Sequence, residues 1–268
     1  MSSWDLIAIA AVLLLGVPHG GLDGAVARRV GWPPGLAAWL GFHLLYIALA
    51  ALVVLLWWQF PLASLSLFLL ISAWHFGASD IADTGSHWLP WIAHGGLVCI
   101  GIPSQQSALV EPIFALLAGP ENAILLMQAI AGLSALWTVS LVSYVGYAYF
   151  HPQYRKPLLS LLILLGLVVI LPPLISFALY FCLWHSRGHM LRLWRSLDSA
   201  ERGHSLREAA IYTAMAWVSA GIIFYYLQGS AASSLVQLTF IGLAALTLPH
   251  MLLVDYADKI KNKAEALP

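Results

Sequence analysis

The sequence predicts an all-α fold, a polytopic bundle of helices embedded in a membrane, and three observations lead to it. Hydrophobic residues make up 61% and charged residues 9% of the 268 residues, and the mean hydropathy is +0.85. Apolar segments that approach the roughly 20 residues needed to cross a bilayer recur along the whole chain. The 12 basic and 12 acidic residues balance to zero, so nucleic acid is not an expected partner.

Nine apolar segments are predicted to be transmembrane helices, separated by glycine, proline and polar residues. Their predicted bounds are 4–26, 36–58, 62–80, 88–103, 122–150, 157–171, 173–194, 207–228 and 235–256. The first is interpreted as a membrane helix rather than an export signal, because residues 1–5 hold no Lys or Arg and no small-residue cleavage site follows. We expect residues 1–256 to form a single catalytic domain and residues 257–268 a short basic cytoplasmic tail.

The number of helices depends on residues 157–194, which form either one helix or two. As one helix they would extend about 57 Å, nearly twice the thickness of the hydrocarbon core. Pro172 and Pro173 lie near the middle of this segment, and tandem prolines disfavour helix at that point. We therefore predict two helices here and nine in all, with eight as the alternative.

Basic residues predict how the nine helices are oriented, since short cytoplasmic loops are enriched in Lys and Arg. With the N-terminus outside and the C-terminus in the cytoplasm, one side of the membrane receives eleven cations and the other none; the twelfth, Arg187, lies inside a helix. Eight helices would put the basic residues around Arg155 and Arg202 on opposite sides. The charges favour nine helices and a multi-pass protein of the cell (inner) membrane.

Seven of the ten histidines are predicted to lie within membrane helices, where ionisable side chains are rare and mark functional sites by default. They are His19, His43, His75, His94, His185, His189 and His250. Counting from the helix ends places all seven within roughly two turns of the cytoplasmic side, whereas His87, His151 and His204 fall in predicted loops. A layer of histidines at one depth predicts a metal or cofactor centre.

The spacing of two histidines supports a metal. His185 and His189 are four residues apart, so they lie on one helix face and can bind a single ion. Imidazole-rich centres without thiolates accept Fe, Zn or Cu. The only two cysteines, Cys99 and Cys182, lie in apolar runs and are interpreted as core residues.

Three aspartates are candidates for orienting the histidines, because a ligand imidazole usually donates its second N–H to an acceptor. Asp23 follows His19 by four residues and is predicted to lie on the same face. Asp80 and Asp255 each follow a histidine by five, about 140° around a helix. Each of these two either orients a histidine or ends its helix near the membrane surface.

Four stretches surround these candidate residues. Residues 16–23 read Gly-Val-Pro-His-Gly-Gly-Leu-Asp, residues 74–77 Trp-His-Phe-Gly, residues 184–189 Trp-His-Ser-Arg-Gly-His and residues 249–255 Pro-His-Met-Leu-Leu-Val-Asp. Together they resemble the Brp/Blh family of membrane β-carotene 15,15′-dioxygenases, found beside microbial rhodopsins. The resemblance covers essentially the whole chain, and the Pro-His-Gly-x-Leu-Asp stretch is its most specific element.

The resemblance implies oxidative cleavage of the central 15,15′ double bond of β-carotene by O₂ at a non-haem Fe(II) ion (Fe²⁺), giving two molecules of all-trans-retinal. The family's proposed iron ligands correspond to His19, His75, His185 and His189. Two further histidines match the family and are expected beside the iron or as alternative ligands, namely His94 and His250; His43 is a weaker candidate. The resemblance also implies a lipid environment and retinal supply to a microbial rhodopsin.

A water-insoluble polyene needs a long apolar wall beside the metal. Five aromatic residues close to the ligands in sequence are candidates for this substrate tunnel: Trp74, Phe76, Tyr180, Phe181 and Trp184. Each also suits a purely structural role, because Trp and Tyr are common in helix packing and at membrane interfaces.

Three other functions stay open from the residues alone. A membrane di-iron hydroxylase or desaturase of carotenoids or lipids would also cluster histidines, but it normally needs more ligands and adjacent His-His pairs, which this sequence lacks. A b-type haem carrier needs only two axial histidines and leaves the others unexplained. A metal or proton transporter would place polar groups at several depths rather than in one layer.

Overall fold

Helices make up the regular structure of this chain. The structure is a computed structural model, and it describes residues 2–82, 84 and 87–265, with side chains up to residue 257. Among the described residues every regular element is helical, so the predicted all-α class is confirmed. The α-helices are α1 (Ser3–Ala11), α2 (Asp23–Arg29), α3 (Leu36–Gln59), α4 (Pro61–Asp80), α5 (Trp88–Gly96), α6 (Ile102–Gln105), α7 (Ser107–Ala118), α8 (Pro120–Phe150), α9 (Arg155–Ile170), α10 (Pro173–Ala178), α11 (Arg187–Ser196), α12 (Ser199–Tyr226) and α13 (Ala231–Glu265).

Shorter segments of different helical geometry lie between some of the α-helices. The π-helical segments are Val12–Gly16, Leu97–Gly101 and Leu179–Ser186, and the 3₁₀ segments are Val17–Leu22 and Pro152–Tyr154. At several points these segments follow directly on the neighbouring α-helices. Residues 3–29 therefore form one helical stretch.

Seven helical stretches of the described chain are long and apolar enough to cross a membrane. They are Ser3–Arg29, Leu36–Gln59, Pro61–Asp80, Pro120–Phe150, Pro152–Ile170, Ser199–Tyr226 and Ala231–Ala257. Each corresponds to one predicted span. Their exposed surfaces carry many large apolar side chains, as expected of helices that face lipid rather than water.

The other two predicted spans are helical but change geometry along their length. Residues 88–105 pass from α5 through a π-helical segment to α6, and residues 173–196 pass from α10 through another to α11. The predicted break inside residues 157–194 is confirmed, because α9 ends at Ile170 and α10 begins at Pro173. The count of nine membrane crossings and the orientation of the termini stay predictions.

Proline and glycine determine several helix ends. Proline occupies the start of α4, α8 and α10, at Pro61, Pro120 and Pro173, where its missing N–H would have no partner in the helix anyway. Gly119 has a φ of 92°, a left-handed conformation that glycine adopts without steric cost. This residue lets the chain turn between α7 and α8.

The structure differs from the sequence prediction at three helices. The short apolar helix α7 lies in a segment that was not predicted to be helical. Helix α12 begins at Ser199, so His204 lies in a helix and not in a loop. Helix α13 continues to Glu265, which makes the described part of the predicted tail helical. Good helix formers such as Ala, Lys and Glu dominate there; residues 266–268 lie outside the described part of the chain.

The chain forms two compact units, each assembled from two separate stretches of sequence. Unit 1 consists of Met1–Ala11 and Phe60–Gly188, and unit 2 of Val12–Gln59 and His189–Pro268. The sequence predicts a single catalytic domain, and that interpretation stays a prediction.

Small residues bring the helices of unit 1 into close contact. A Cβ atom on Gly95 of α5 would overlap the carbonyl oxygen of Ala73 in α4, so only glycine permits this approach. The indole of Trp137 in α8 covers Gly96 and donates its N–H to the carbonyl of Ala93 at 3.1 Å. Close backbone approach through small residues is typical of membrane helices.

Unit 2 packs α13 against α3 and α2, and α12 against the 3₁₀ segment Val17–Leu22. A Cβ atom on Gly21 would lie 2.9 Å from the carbonyl oxygen of Ala209, so this contact also depends on glycine. The apolar core of the unit contains Leu22, Val26 and Leu193. These contacts hold the segment that carries His19.

Replacing Gly95 by alanine is expected to destabilise unit 1, because the added Cβ forces α4 and α5 apart. Overpacking of this kind typically costs about 1–3 kcal/mol. Thermal unfolding of the purified protein in detergent measures the effect. The matched control is Gly132→Ala in α8, where a Cβ meets nothing within 4 Å and stability should be unchanged or slightly raised. Equal midpoints for both variants would contradict the packing argument.

The predicted topology places residue 203 on the cytoplasmic side. A cysteine is tolerated there, since a Cβ atom on Gly203 meets nothing within 4 Å. With Gly203→Cys, a membrane-impermeant thiol reagent should label permeabilised cells and spare intact ones, whereas Ser230→Cys, predicted outside, should be labelled in both. Cys99 and Cys182 are buried, which keeps background labelling low. Labelling of Gly203→Cys in intact cells would overturn the nine-helix arrangement.

Candidate metal centre

Six of the seven candidate histidines collect in two groups, one in each unit. Unit 2 holds His19, His189 and His250, and unit 1 holds His75, His94 and His185. His19 is half-buried and the other five are buried. Histidines grouped in this way within apolar helices support the predicted functional role.

His43 belongs to neither group. Its Nδ1–H donates to the carbonyl oxygen of Trp39 at 2.6 Å, and its Nε2 lies 3.0 Å from the hydroxyl of Tyr212. Because the carbonyl can only accept, Nδ1 carries the proton and Nε2 accepts from the phenol. Both ring nitrogens of His43 therefore have hydrogen-bond partners within unit 2.

The three imidazoles of unit 2 lie against one another. The centroid of the His250 ring is 5.1 Å from that of His19 and 5.2 Å from that of His189. The rings of His19 and His189 are 6.0 Å apart. All three pairs are edge to face, with interplanar angles of 73° to 84°. Three distant segments of sequence thus bring their imidazoles into one small volume.

Asp23 is the centre of the polar contacts in unit 2. Its Oδ1 accepts the Nδ1–H of His250 at 2.7 Å, and its Oδ2 accepts the hydroxyl of Tyr46 at 2.9 Å. The spacing of four residues predicts that Asp23 orients His19, but the Nδ1–H of His19 donates to the carbonyl oxygen of Gly16 at 2.5 Å. Asp23 therefore holds a different histidine from the one that its spacing predicts, and Tyr46 was not anticipated at all.

The local helix geometry explains this difference. In an α-helix a residue four positions on lies about 40° around the axis from its starting residue. The segment Val17–Leu22 is a 3₁₀-helix, which has 3.0 residues per turn, and the same spacing then corresponds to about 120°. With this geometry the carboxylate of Asp23 reaches His250 in α13.

The group in unit 1 is arranged around Asp80. The hydroxyl of Tyr180 donates to Asp80 Oδ2 at 2.9 Å. The same oxygen lies 3.6 Å from His94 Nδ1, and Oδ1 lies 4.0 Å from His185 Nδ1. The centroids of the His75 and His185 rings are 5.0 Å apart. Asp80 is the last residue of α4 and also faces two histidines, and its role in orienting a metal ligand stays a prediction.

Hydrogen bonds to oxygen determine which ring nitrogens carry protons. Since the carbonyl of Gly16 only accepts, His19 carries its proton on Nδ1, and in the neutral ring the lone pair lies on Nε2. The carboxylate of Asp23 imposes the same tautomer on a neutral His250. Metal-binding imidazoles are typically held in this way, with one nitrogen donating to an oxygen and the other available to a metal.

The donor set fits iron by its chemistry. Neutral imidazole suits Fe, Zn and Cu, and thiolates are not needed. Within the described part of the chain, no group of three or more His, Cys, Asp or Glu side chains is already arranged to hold a metal ion. The fit therefore rests on the identity, burial and protonation of the donors in each unit.

A π-helical segment lies close to a histidine at three places. Val12–Gly16 ends three residues before His19, Leu97–Gly101 begins three residues after His94, and Leu179–Ser186 contains His185. A π-helical turn shifts the register of all later side chains and is frequent at functional sites. The pattern of apolar residues predicts none of these π-helical segments.

Three of the predicted tunnel residues surround His185. The ring of Phe76 lies 4.6 Å from the imidazole centroid and that of Phe181 lies 5.9 Å from it. Tyr180 is 1% exposed and bonds to Asp80 through its hydroxyl. Phe76 and Phe181 give His185 an apolar surrounding, while the tunnel itself stays a prediction.

The remaining predicted residues lie in other surroundings. Trp74 is 55% and Trp184 is 38% exposed, and the indole of Trp74 packs on that of Trp91 at 3.9 Å. Their exposure suits an outer surface of the helices better than a buried wall. Asp255 is half-buried in α13, and its role beside His250 stays a prediction.

Comparison with known proteins identifies the family. The sequence model of the family described as beta-carotene 15,15'-dioxygenase matches residues 10–258 of this chain. The chain belongs to the β-carotene 15,15′-dioxygenase family. The resemblance predicted from the four histidine-bearing stretches is thereby confirmed. No solved structure matches the chain.

Two relatives of this family cover nearly the whole chain. A protein of an uncultured marine bacterium (66A03) named beta-carotene 15,15'-dioxygenase is 34% identical over 94% of this chain and 93% of its own length. A protein of Halobacterium salinarum named probable beta-carotene 15,15'-dioxygenase Blh is 24% identical over 95% of this chain and 84% of its own. Membership of this dioxygenase family confirms the predicted enzyme class and disfavours the hydroxylase, haem-carrier and transporter alternatives.

The variant Asp23→Asn is expected to lower iron affinity or carotene cleavage roughly 10- to 100-fold. An asparagine replaces one of the two acceptor oxygens by an NH₂ donor, so the hydrogen bonds from His250 and Tyr46 cannot both be kept as they are. Iron content of the purified protein and retinal yield in cells measure the loss. The matched control is Glu208→Gln, which removes the carboxylate that pairs with Arg28 at 2.6 Å and should leave both unchanged. Equal iron content and retinal yield in the two variants would contradict the role of Asp23.

Proposed function

We propose that this protein cleaves the central 15,15′ double bond of β-carotene with O₂ and releases two molecules of all-trans-retinal. The observation that carries the proposal is membership of the β-carotene 15,15′-dioxygenase family over residues 10–258. The bacterial relative with this name, 34% identical to the chain, supports the same reaction. The seven apolar helices suit a substrate that dissolves in lipid.

We propose that the reaction uses a non-haem Fe(II) ion. The proposed ligands are His19, His75, His185 and His189, with His94 and His250 as neighbours or alternative ligands. Five of these six imidazoles are buried, and Nδ1–H of His19 and of His250 donates to an oxygen, which supports metal binding through Nε2. When bound, iron would activate O₂ for reaction with the alkene.

The proposed reaction balances without an external reductant. The C15=C15′ bond breaks, and each carbon atom takes up one oxygen atom of O₂ to become an aldehyde. The four electrons that O₂ accepts all come from the alkene. The protein is therefore required to bind the polyene, to hold one double bond at the metal and to exclude water.

The described residues around His185 suit these tasks. Phe76 and Phe181 are buried and pack against its imidazole, so they exclude water from one side of the ring. The O–H of Tyr180 is donated to Asp80, which directs this polar group away from a bound hydrocarbon. We propose that the two phenylalanines contact the polyene.

We propose a location in the cell (inner) membrane with the metal centre near the cytoplasmic side. The apolar helices support the membrane, and the distribution of Lys and Arg supports the orientation. A centre within the bilayer would receive β-carotene directly from lipid. The resemblance to proteins found beside microbial rhodopsins supports retinal supply to a rhodopsin as the use of the product.

A bacterium that accumulates β-carotene provides the direct test. Expression of the chain should bleach the orange colour and produce retinal, and His185→Ala or His189→Ala should abolish retinal while the protein still inserts into the membrane. The control is His204→Ala, whose side chain is 65% exposed beside Glu208 and whose loss should leave the yield unchanged. Unchanged retinal in both active-site variants would remove these residues from the site.

Purification of the same protein tests the metal separately. About one iron per chain without a haem absorption band is the expected result. A haem Soret band would reject the proposal in favour of a haem protein, and about two irons per chain would favour a di-iron hydroxylase.

A further inference from the structure

The same arrangement of tyrosine, aspartate and histidine occurs in both units. In unit 2 Asp23 accepts a phenol O–H from Tyr46 and an imidazole N–H from His250. In unit 1 Asp80 accepts a phenol O–H from Tyr180 and faces the Nδ1 atoms of two histidines at 3.6 and 4.0 Å. The Asp80 side chain and the whole of Asp23 are each 3% exposed.

Each phenol donates a hydrogen bond that a buried carboxylate needs. A carboxylate buried among apolar helices is costly unless donors satisfy its oxygens. One imidazole N–H satisfies one oxygen of Asp23 and leaves the other, to which Tyr46 donates at 2.9 Å. With both oxygens fixed, the carboxylate cannot rotate about its side-chain bond. Its direction, and that of the imidazole bonded to it, is then determined.

We propose that Tyr46 and Tyr180 are positioning residues for the metal centre, each acting through one buried aspartate on the imidazoles of its own unit. This inference rests on the proposed function. It assigns a role to Tyr46, which no pattern in the sequence marks as functional. It also changes the role of Tyr180 from a tunnel wall to a hydrogen-bond donor.

In unit 2 the effect of Tyr46 passes through His250. The ring of His250 packs edge to face against the proposed ligands His19 and His189, at centroid distances of 5.1 and 5.2 Å. A change in the direction of Asp23 rotates His250 and so displaces both neighbouring rings. Metal bonds are sensitive to such displacements, because partners of the ligands typically contribute roughly 10- to 100-fold to metal affinity.

In unit 1 the effect of Tyr180 reaches a proposed ligand through Asp80 alone. Asp80 Oδ1 faces Nδ1 of His185, itself a proposed ligand, at 4.0 Å. This distance exceeds a hydrogen bond, so Asp80 acts on the ring through its charge. A negative charge on the Nδ1 side favours the tautomer with the proton on Nδ1 and the lone pair on Nε2. Tyr180 keeps that charge in place.

Two other tyrosines provide matched controls. The hydroxyl of Tyr212 donates to His43, outside both histidine groups, and the hydroxyl of Tyr144 donates to the carbonyl of Tyr154 at 3.2 Å. Replacing either by phenylalanine removes one phenol hydrogen bond of the same kind, one in each unit. Neither bond ends on Asp23 or Asp80.

The experiment compares four variants of the full-length protein in detergent: Tyr46→Phe, Tyr180→Phe, Tyr212→Phe and Tyr144→Phe. Fe(II) affinity is measured by competition with a chelator, and the visible absorption of the Co(II)-substituted protein reports ligand geometry without any turnover. We expect Tyr46→Phe and Tyr180→Phe to weaken Fe(II) binding by about 10-fold or more and to shift the Co(II) bands. The two controls should keep the affinity and spectrum of the unmodified protein.

A double variant tests whether Tyr46 acts through Asp23. If it does, Tyr46→Phe should weaken Fe(II) binding far less in the Asp23→Asn protein than in the unmodified protein, because residues on one path are not additive. If the losses of Fe(II) affinity caused by the two substitutions were fully additive, Tyr46 would not act through Asp23. The positioning role would be overturned if the two controls lost as much Fe(II) affinity as Tyr46→Phe and Tyr180→Phe and showed the same shift of the Co(II) bands.

The outcomes separate this inference from the proposed function. If the unmodified protein binds Fe(II) and forms retinal while Tyr46→Phe and Tyr180→Phe behave like the controls, only the positioning role fails. If the unmodified protein binds no iron and forms no retinal, the proposed function fails.

Discussion

The need to satisfy a carboxylate within apolar helices constrains this structure more than any other single interaction. A buried, charged aspartate is stable only where donors reach both of its oxygens. For Asp23 those donors are His250 and Tyr46, which lie 227 and 23 residues away in sequence. Helices α2, α3 and α13 must therefore meet at one point, and apolar packing alone would permit many other registers. The two hydrogen bonds of Asp23 join these helices in the register that presents His250.

Departures from α-helical geometry also determine where the histidine side chains point. A regular helix would present side chains every 100°, which limits where an imidazole can point. The π-helical and 3₁₀ segments near His19 and the long π-helical segment that contains His185 change that rotation locally. Such segments have poorer hydrogen-bond geometry than an α-helix, so their presence beside the histidines indicates that side-chain direction matters more there than regularity. Gly16 is an example, because it is the last residue of a π-helical segment and its carbonyl oxygen accepts the Nδ1–H of His19.

Sequence patterns predicted the elements that depend on local chemistry. The break at Pro172 and Pro173 follows from steric rules that act within a few residues, and the apolar spans follow from composition. Helix α7 was missed because it is short and holds Pro112 within it, so neither length nor propensity marks it. The hydrogen bond between His250 and Asp23 could not be predicted from the spacing of His19 and Asp23, because that spacing places both on one face only in an α-helix. Tyr46 was missed because an aromatic residue in an apolar helix resembles any packing residue, and its carboxylate partner is brought to it only by the fold.

The two aspartates also explain why the histidine-bearing stretches occur together in one chain. Asp23, from residues 16–23, bonds to His250, from residues 249–255, so each of these stretches completes the other within unit 2. Asp80, which follows residues 74–77, faces His185, from residues 184–189, within unit 1. Losing His250 would leave one oxygen of Asp23 without its donor, and losing Asp80 would remove the charge that faces Nδ1 of His185. Each of these stretches therefore has a counterpart in a second stretch of the same unit, and the arrangement of each pair needs both of its members.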